Sequence, residues 1–167
     1  MKTLDNVDKK ILKLLQKDAR LNTKEIADKI GLSVTPTYER LKKIEKTKII
    51  KGYVALLNQK AIGKNCSAFC TISLRLHSAP LLKQFENALK SFPEVMECYH
   101  VAGVYDYLIK VVVDNMEEYK NLLVNKLAAM ENVSNVHSAF IMTEVKHETA
   151  YDLSPIHSIK GEDRRGL

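Results

Sequence analysis

The spacing of apolar residues changes from a helical to a strand period near residue 65. Up to residue 46, apolar positions recur every three or four residues, whereas over 66–77 apolar residues alternate with more polar ones. The first spacing lines one side of a helix and the second lines one side of a strand, so each leaves a face to bury. The sequence therefore predicts an α+β chain in which a helical domain precedes a sheet.

Three short helices are predicted in the first 46 residues. They cover residues 4–18, 23–30 and 33–46. Asp5 is a suitable N-cap for the first helix, Gly31 follows the second, and Pro36 stands in the first turn of the third. The third helix is expected to bury Val34, Leu41, Ile44 and either Tyr38 or Thr37. Because only Gly-Leu-Ser joins the last two helices, the arrangement is a helix-turn-helix.

Basic residues are concentrated in the same helical segment. Residues 1–60 carry 15 Lys and Arg against 7 Asp and Glu, whereas residues 61–148 carry 8 against 10. This asymmetry indicates a polyanionic partner for one end of the chain. The alternative is that the lysines only solvate exposed helix faces.

The third helix has the dimensions of a DNA-recognition helix. At about 13 residues it would be ~20 Å long, and it fits the ~12 Å major groove of DNA. Small polar residues at its N-terminal end would approach base edges: Ser33, Thr35 and Thr37. Basic residues farther along would reach phosphates: Arg40, Lys42, Lys43 and Lys46. The alternative is a three-helix bundle used only for protein contacts.

The second part of the chain predicts a β-α-β-β-α-β order. This is the ferredoxin-like arrangement, an antiparallel four-stranded sheet with two helices on one face. The strands are expected at 66–77, 95–101, 106–113 and 136–145, and the helices at 80–92 and 115–130. The third strand is apolar on both sides, and monomers rarely leave such a sheet face bare. We expect the open face to include Ile109 and Val111 and to be covered by a second subunit.

The sequence contains no apparent catalytic constellation. There is no P-loop, no G-x-G-x-x-G and no G-x-S-x-G. Cys98 and His100 alternate on one strand, but two residues are too few for a zinc site. An odd number of cysteines indicates a reducing cytoplasm, and no apolar run approaches the ~20 residues of a membrane helix. We therefore expect a cytoplasmic protein that is neither an enzyme nor a metalloprotein and does not enter membranes.

One loop, Ala102-Gly103-Val104-Tyr105-Asp106-Tyr107, has residues that could hold an amino acid. Gly103 permits a positive φ, and exposed N–H groups in such a loop can bind a carboxylate. Asp106 could pair with the ammonium group of the same ligand. The alternative is a plain hairpin in which Asp106 only satisfies the amides of the turn.

Four segments, taken in order, carry a family resemblance: LDNVDKKILKLLQKDAR, KEIADKIGLSVTPTYERLKKIEKTKIIKGYVALLN, CYHVAGVYDYLIKVVV and MTEVK. They closely resemble the Lrp/AsnC (leucine-responsive/asparagine regulator) family of transcription regulators. The resemblance implies a winged helix-turn-helix DNA-binding domain, a hinge strand and a ferredoxin-like domain that senses amino acids. It also implies dimers that associate into octamers or similar rings, with the effector held between dimers.

The resemblance implies roles for particular residues. The family's recognition helix matches Ser33, Thr35, Pro36, Glu39, Arg40, Lys42 and Lys43. Its effector loop matches Gly103, Asp106, Tyr107 and Leu108, which favours a ligand role for the loop over a plain hairpin. Ser138 takes a position that usually carries Thr, and this implies a further ligand contact. Lys48 is a departure, because members usually have Gly there.

Together these observations predict a regulator whose assembly and DNA affinity respond to a small amino-acid effector, with no other cofactor. The expected divisions are a helix-turn-helix domain at 1–50, a hinge strand or linker at 51–64, an effector-binding and oligomerisation domain at 65–148, and a largely mobile tail at 149–167. The alternative function is a ferredoxin-like small-molecule-binding domain that acts through protein contacts without DNA.

Overall fold

The computed structural model describes residues 4–153 of the 167-residue chain. These residues form two compact units. The helical unit contains residues 4–55 and 146–153, and the sheet unit contains residues 56–145. The boundaries therefore fall within the predicted hinge and just before the predicted tail.

The helical unit has the three expected helices. They are α1 (Asn6–Lys17), α2 (Thr23–Ile30) and α3 (Val34–Lys46). The predicted N-cap is confirmed, because the Asp5 carboxylate accepts hydrogen bonds from the backbone amides of Val7 and Asp8. The three helices bury a small apolar core: Ile11, Leu12, Leu15, Ile26 and Ile44. The described part of this unit contains no strand, so the wing implied by the resemblance does not form there.

The chain returns to the helical unit after the sheet. The Gln16 side chain donates a hydrogen bond to the Tyr151 carbonyl at 3.1 Å and accepts one from the Tyr151 amide at 2.7 Å. Leu153 packs against the helical core. Residues 149–153 are thus held in place rather than mobile as predicted, because their backbone and an apolar side chain both have partners. Residues 154–167 lie outside the described part of the chain.

The predicted hinge is a linker rather than a strand. Residues 51–58 adopt neither helix nor strand, and a single 3-10 turn at Lys60–Ile62 follows them. An extended segment becomes a strand only when another strand pairs with it. Several of its apolar side chains are exposed: Tyr53, Val54, Leu56 and Leu57.

The sheet unit has the predicted β-α-β-β-α-β order. Its strands are β1 (Cys66–Leu74), β2 (Val95–His100), β3 (Tyr107–Val113) and β4 (Val133–Phe140). They lie in the spatial order β2-β3-β1-β4, and every neighbouring pair is antiparallel. The last strand begins three residues earlier than expected and ends five residues earlier.

Two helical segments pack on one face of this sheet. They are α4 (Ala79–Lys90) and a second segment in which α5 (Met116–Asn121) continues as a π-helix (Leu122–Leu127). Phe85 of α4 packs against Tyr107 of β3, with ring centroids 4.8 Å apart. The π-helical part was not predicted, and its two buried residues, Leu122 and Leu127, lie five positions apart, as the wider turn requires.

The prediction for the open sheet face was wrong. Ile109 and Val111 are fully buried on the helix-covered side, together with Tyr107 and Val113. The side chains that point away from the helices include Leu108 and other residues of both central strands: Phe69, Thr71, Lys110 and Val112. Both sides of β3 are apolar enough to form a core, so its alternation alone did not identify the buried side.

A backbone anomaly follows α3 at Lys48. Its φ is +57°, and it is the one non-glycine residue with a positive φ among residues 4–153. This is the position at which the resemblance expects Gly. A side chain in the left-handed region costs roughly 1 kcal/mol, and glycine avoids that cost.

Lys48→Gly is therefore expected to stabilise the helical unit by roughly 0.5–1 kcal/mol, because it relieves this conformation. Urea unfolding of the full chain measures the difference. Lys43→Gly, inside α3, is the matched control and should destabilise by about 1 kcal/mol. A loss of stability in Lys48→Gly would contradict the proposed strain at this position.

Candidate functional site

The turn between α2 and α3 positions the candidate recognition helix. Gly31 ends α2 with φ +73°, the left-handed conformation that glycine adopts readily, and its amide bonds to the Ala27 carbonyl. Ser33 is the N-cap residue of α3 in an extended conformation, although its side chain makes no capping hydrogen bond. The N-terminal half of α3 is thereby presented at the surface of the unit.

Most of the predicted DNA contacts lie on the exposed side of α3. These exposed residues are Ser33, Thr35, Pro36, Glu39, Lys42, Lys43 and Lys46. Arg40 is partly buried, and Thr37 is fully buried, with its hydroxyl donating to the Ser33 carbonyl at 2.9 Å. The prediction of Thr37 as a base contact is therefore wrong. Of the two alternatives for the buried face, Thr37 points inward and Tyr38 outward.

Arg40 has a structural partner on α1 rather than an open path to phosphate. Its guanidinium donates to the carboxylates of Asp5 and Asp8, at 2.8 Å for Asp8. Backbone amides and the Arg40 guanidinium lower the pKa of Asp5, and the Asp5 carboxylate in turn raises the pKa of Arg40. This arrangement disfavours the predicted phosphate contact, because a phosphate would compete with two carboxylates that already hold the side chain.

Two exposed residues of α3 were not predicted to face solvent. Val34 is 47% exposed, although it was expected on the buried face, and Tyr38, one of the two alternatives for that face, is 42% exposed. The Lys42 ammonium lies 4.5 Å from the centroid of the Tyr38 ring. Tyr38 and Thr37 are adjacent in sequence, so the burial of one turns the other outward by about 100° around the helix.

The candidate effector loop connects β2 to β3. Gly103 has φ +152°, and the next residue, Val104, is 98% exposed. Ala102 is exposed, and Tyr105 is 37% exposed. The predicted glycine conformation is confirmed, and the loop presents backbone and apolar side chains to solvent.

Asp106 at the end of this loop is fixed by two hydrogen bonds. Its carboxylate accepts from the Leu74 amide at 2.7 Å and pairs with His77 Nε2 at 2.8 Å. The Leu74 amide, followed by His77, lowers the pKa of Asp106. The carboxylate is consequently charged at neutral pH and stays so under mildly acidic conditions.

Tyr107 and Ser138 have partners within the sheet unit. Tyr107 is buried, its hydroxyl donates to Glu86 at 3.0 Å, and burial raises its pKa to about 12. Its predicted role as a ligand contact is therefore wrong for the side chain. Ser138 accepts a hydrogen bond from the Tyr119 hydroxyl and remains exposed on β4.

A cavity of about 520 Å³ lies at the end of the sheet where the candidate effector loop connects β2 to β3. It is lined by Arg75, Leu76, Leu81, Gln84, Phe85, Ala88, Met130, Glu131 and Asn132. Arg75 follows the residue whose amide holds Asp106, so the cavity and the loop share one end of β1. Its lining combines an apolar surface with one positive and one negative side chain, as an amino acid would require.

Within residues 4–153, no helix is both long and apolar enough to cross a membrane. In the same range, no three His, Cys, Asp or Glu side chains come together as a metal site.

A helix-turn-helix with lysines on its exposed helix, joined to a ferredoxin-like sheet with a glycine loop, defines a two-domain DNA-binding regulator.

Comparisons with known proteins identify the family. The AsnC-type helix-turn-helix domain matches residues 4–45, and the Lrp/AsnC ligand binding domain matches residues 67–151. The Bkd operon transcriptional regulator of Pseudomonas aeruginosa is 35% identical over 90% of this chain and 98% of its own length. The leucine-responsive regulatory protein of Escherichia coli K12 is 37% identical over 87% of this chain and 88% of its own.

A solved structure agrees with these matches. Transcriptional regulator NMB0573 of Neisseria meningitidis, in complex with L-Met, superimposes with a TM-score of 0.87 and 31% identity, over 90% of this chain and 97% of that one. The chain therefore belongs to the Lrp/AsnC family of transcriptional regulators. This confirms the resemblance, the α+β fold class and the predicted regulatory function.

Proposed function

We propose that this regulator lays α3 in the major groove of duplex DNA and that an amino acid bound to the sheet unit adjusts that binding. The observation that carries the DNA-binding role is the exposed lysine side of α3, formed by Lys42, Lys43 and Lys46. Each ammonium group can neutralise a phosphate and release a counterion. In a dimer, two such helices would enter grooves about one helical turn, ~34 Å, or a multiple of it apart.

The proposed effector is a free amino acid at the end of the sheet unit that holds Asp106. The Neisseria relative was solved with L-Met. In this chain, the end of the sheet unit that holds Asp106 has a glycine loop, a fixed carboxylate and a partly apolar cavity. Loop amides would bind the carboxylate of the effector, and Asp106 its ammonium group, in exchange for His77. Ser138 stays a proposed further contact. No other cofactor and no catalytic step are proposed.

The protein is proposed to work as a homodimer that associates further into an octamer or similar ring, in the cytoplasm with its DNA. The open sheet face supports the dimer, because Phe69 is 39% exposed and Leu108 and Val112 are only partly buried. Covering such a face with a second copy removes apolar area from water. An effector would shift the assembly only as far as it prefers one assembled state.

Lys43→Ala should reduce the slope of log affinity against log salt concentration by about 0.9, because one phosphate contact is lost. Arg40→Ala should leave this slope unchanged but lower stability, since it leaves the buried Asp8 carboxylate without its counter-charge. Fluorescence anisotropy with labelled genomic duplexes at several salt concentrations measures both slopes. Lys83→Ala on α4 is the control. A full-length protein that binds no duplex even at low salt would refute the proposal.

Asp106→Asn should weaken binding of the cognate amino acid by about tenfold to a hundredfold, because a charge-assisted hydrogen bond is lost while the Leu74 amide keeps an acceptor. Calorimetry first screens the twenty amino acids with the unmodified chain and then compares the variants. Glu117→Gln, an exposed carboxylate on α5, is the matched control. Unchanged affinity in Asp106→Asn would remove Asp106 from the site.

Leu108→Lys should lower the state of association while the chain stays folded, because it adds a charge to the open sheet face. Sedimentation velocity measures the association, and thermal unfolding checks the fold. Ile109→Lys on the opposite side of β3 is the comparison and should unfold the sheet unit, since its ammonium would be buried. An unaltered assembly in a folded Leu108→Lys protein would mean that this face is not an interface.

A further inference from the structure

The first half of α3 lacks the side chains that usually read purines. Guanine is read by Arg or Lys, and adenine by Asn or Gln, each with two hydrogen bonds. The helix contains no Asn or Gln. Its single arginine, Arg40, is held by Asp5 and Asp8. Its lysines all fall within the last five residues, whereas recognition helices contact base edges with their N-terminal residues.

The exposed side chains of that half suit thymine instead. Val34 and Tyr38 present apolar surface to solvent one turn apart, and Thr35 beside them carries a methyl group. Thymine is the one base with a methyl group in the major groove, and apolar side chains recognise it by contact. These three residues therefore form a surface that favours thymine over cytosine or a purine.

The Tyr38 ring is held in place by its neighbour one turn later. The Lys42 ammonium lies 4.5 Å from the ring centroid, which is within the range of a cation–π contact. This contact restrains the Tyr38 ring. It also keeps Lys42 close to Tyr38, so that this lysine is less available to read guanine.

Glu39 faces the same surface with a negative charge. It is exposed and has no ion-pair partner closer than 4 Å in the described part of the chain. A carboxylate that approaches DNA is repelled by phosphates unless it finds a hydrogen-bond donor there. In the major groove, the amino group at N4 of cytosine is the donor that Glu accepts from.

We propose that α3 selects its DNA sites through pyrimidines. Thymine methyl groups contact Val34, Thr35 and Tyr38, and a cytosine amino group donates to Glu39. This rests on the proposed binding of α3 in the major groove and adds which bases the helix reads. Lysines in the second half of α3 supply phosphate contacts that do not depend on sequence.

The first test removes only the thymine methyl groups. The full-length protein selects duplexes from a random pool, and the selected sequence is then made with deoxyuridine in place of individual thymidines. Affinity should fall about fourfold for each contacted methyl lost, as expected for burial of one methyl-sized group. Val34→Ala should reduce this loss at one position, because the methyl group no longer has its partner. Equal affinity for thymine and uracil duplexes would overturn the thymine part of the proposal.

The second test changes what the residue at 39 accepts or donates. Glu39→Gln should change one selected base from cytosine to adenine, because an amide pairs with the N6 and N7 atoms of adenine. Asp28→Asn, on α2, removes the same charge outside α3 and is the matched control, which should select the unmodified sequence. An unchanged cytosine in the Glu39→Gln selection would overturn the cytosine part.

Failure of DNA binding and failure of pyrimidine selection give different results. If the unmodified protein selects no duplex, both the major-groove proposal and the pyrimidine proposal are wrong. The protein can instead select duplexes whose affinity does not change with uracil and whose sequence does not change in the Glu39→Gln selection. In that case DNA binding stands and only the pyrimidine proposal is overturned. A selected half-site can also carry purines at every contacted position of one strand. The pyrimidine proposal is overturned in that case if replacing the thymines of the facing strand by uracil does not change the affinity.

Discussion

The ion pair between Arg40 and the first turn of α1 fixes the orientation of α3. The Arg40 guanidinium binds the carboxylates of Asp5 and Asp8, and Asp8 is itself almost fully buried. Asp5 also caps α1, so one carboxylate serves the start of one helix and the side of another. Because this pairing and the buried Thr37 define the inward side of α3, they also define which residues face solvent, and the DNA-binding surface depends on that choice.

The sequence predicted the order of elements because it contains two hydrophobic periods. It also predicted the N-cap at Asp5, since an acidic residue before a helical pattern has few other uses there. It left the choice between Thr37 and Tyr38 open on α3, and on β3 it assigned Ile109 and Val111 to the wrong side of the sheet. In each case the choice depends on what packs opposite, and a local pattern carries no information about that.

The sequence identified the loop of the candidate effector site but not the hydrogen bonds that its carboxylate already makes. Gly103 and Asp106 were identified from the chemistry of an amino acid, and the structure supports the glycine conformation. It adds that Asp106 already has two partners, one of them a histidine far away in sequence. A ligand would therefore exchange one existing interaction for another instead of filling an unpaired acceptor, and its net affinity is the difference between the two.

Tyr151 and Leu153 contact the helical unit, so the sheet unit is inserted in sequence between two parts of the helical unit. Residues 4–55 are synthesised before the sheet unit, yet the helical unit gains its last contacts only when residues 146–153 have followed the sheet unit. Domains of nascent chains generally complete their folding in the order of synthesis. Here the helical unit completes its core only after the sheet unit has been synthesised. The nascent chain therefore carries an incomplete DNA-binding unit while its amino-acid-binding unit is being made.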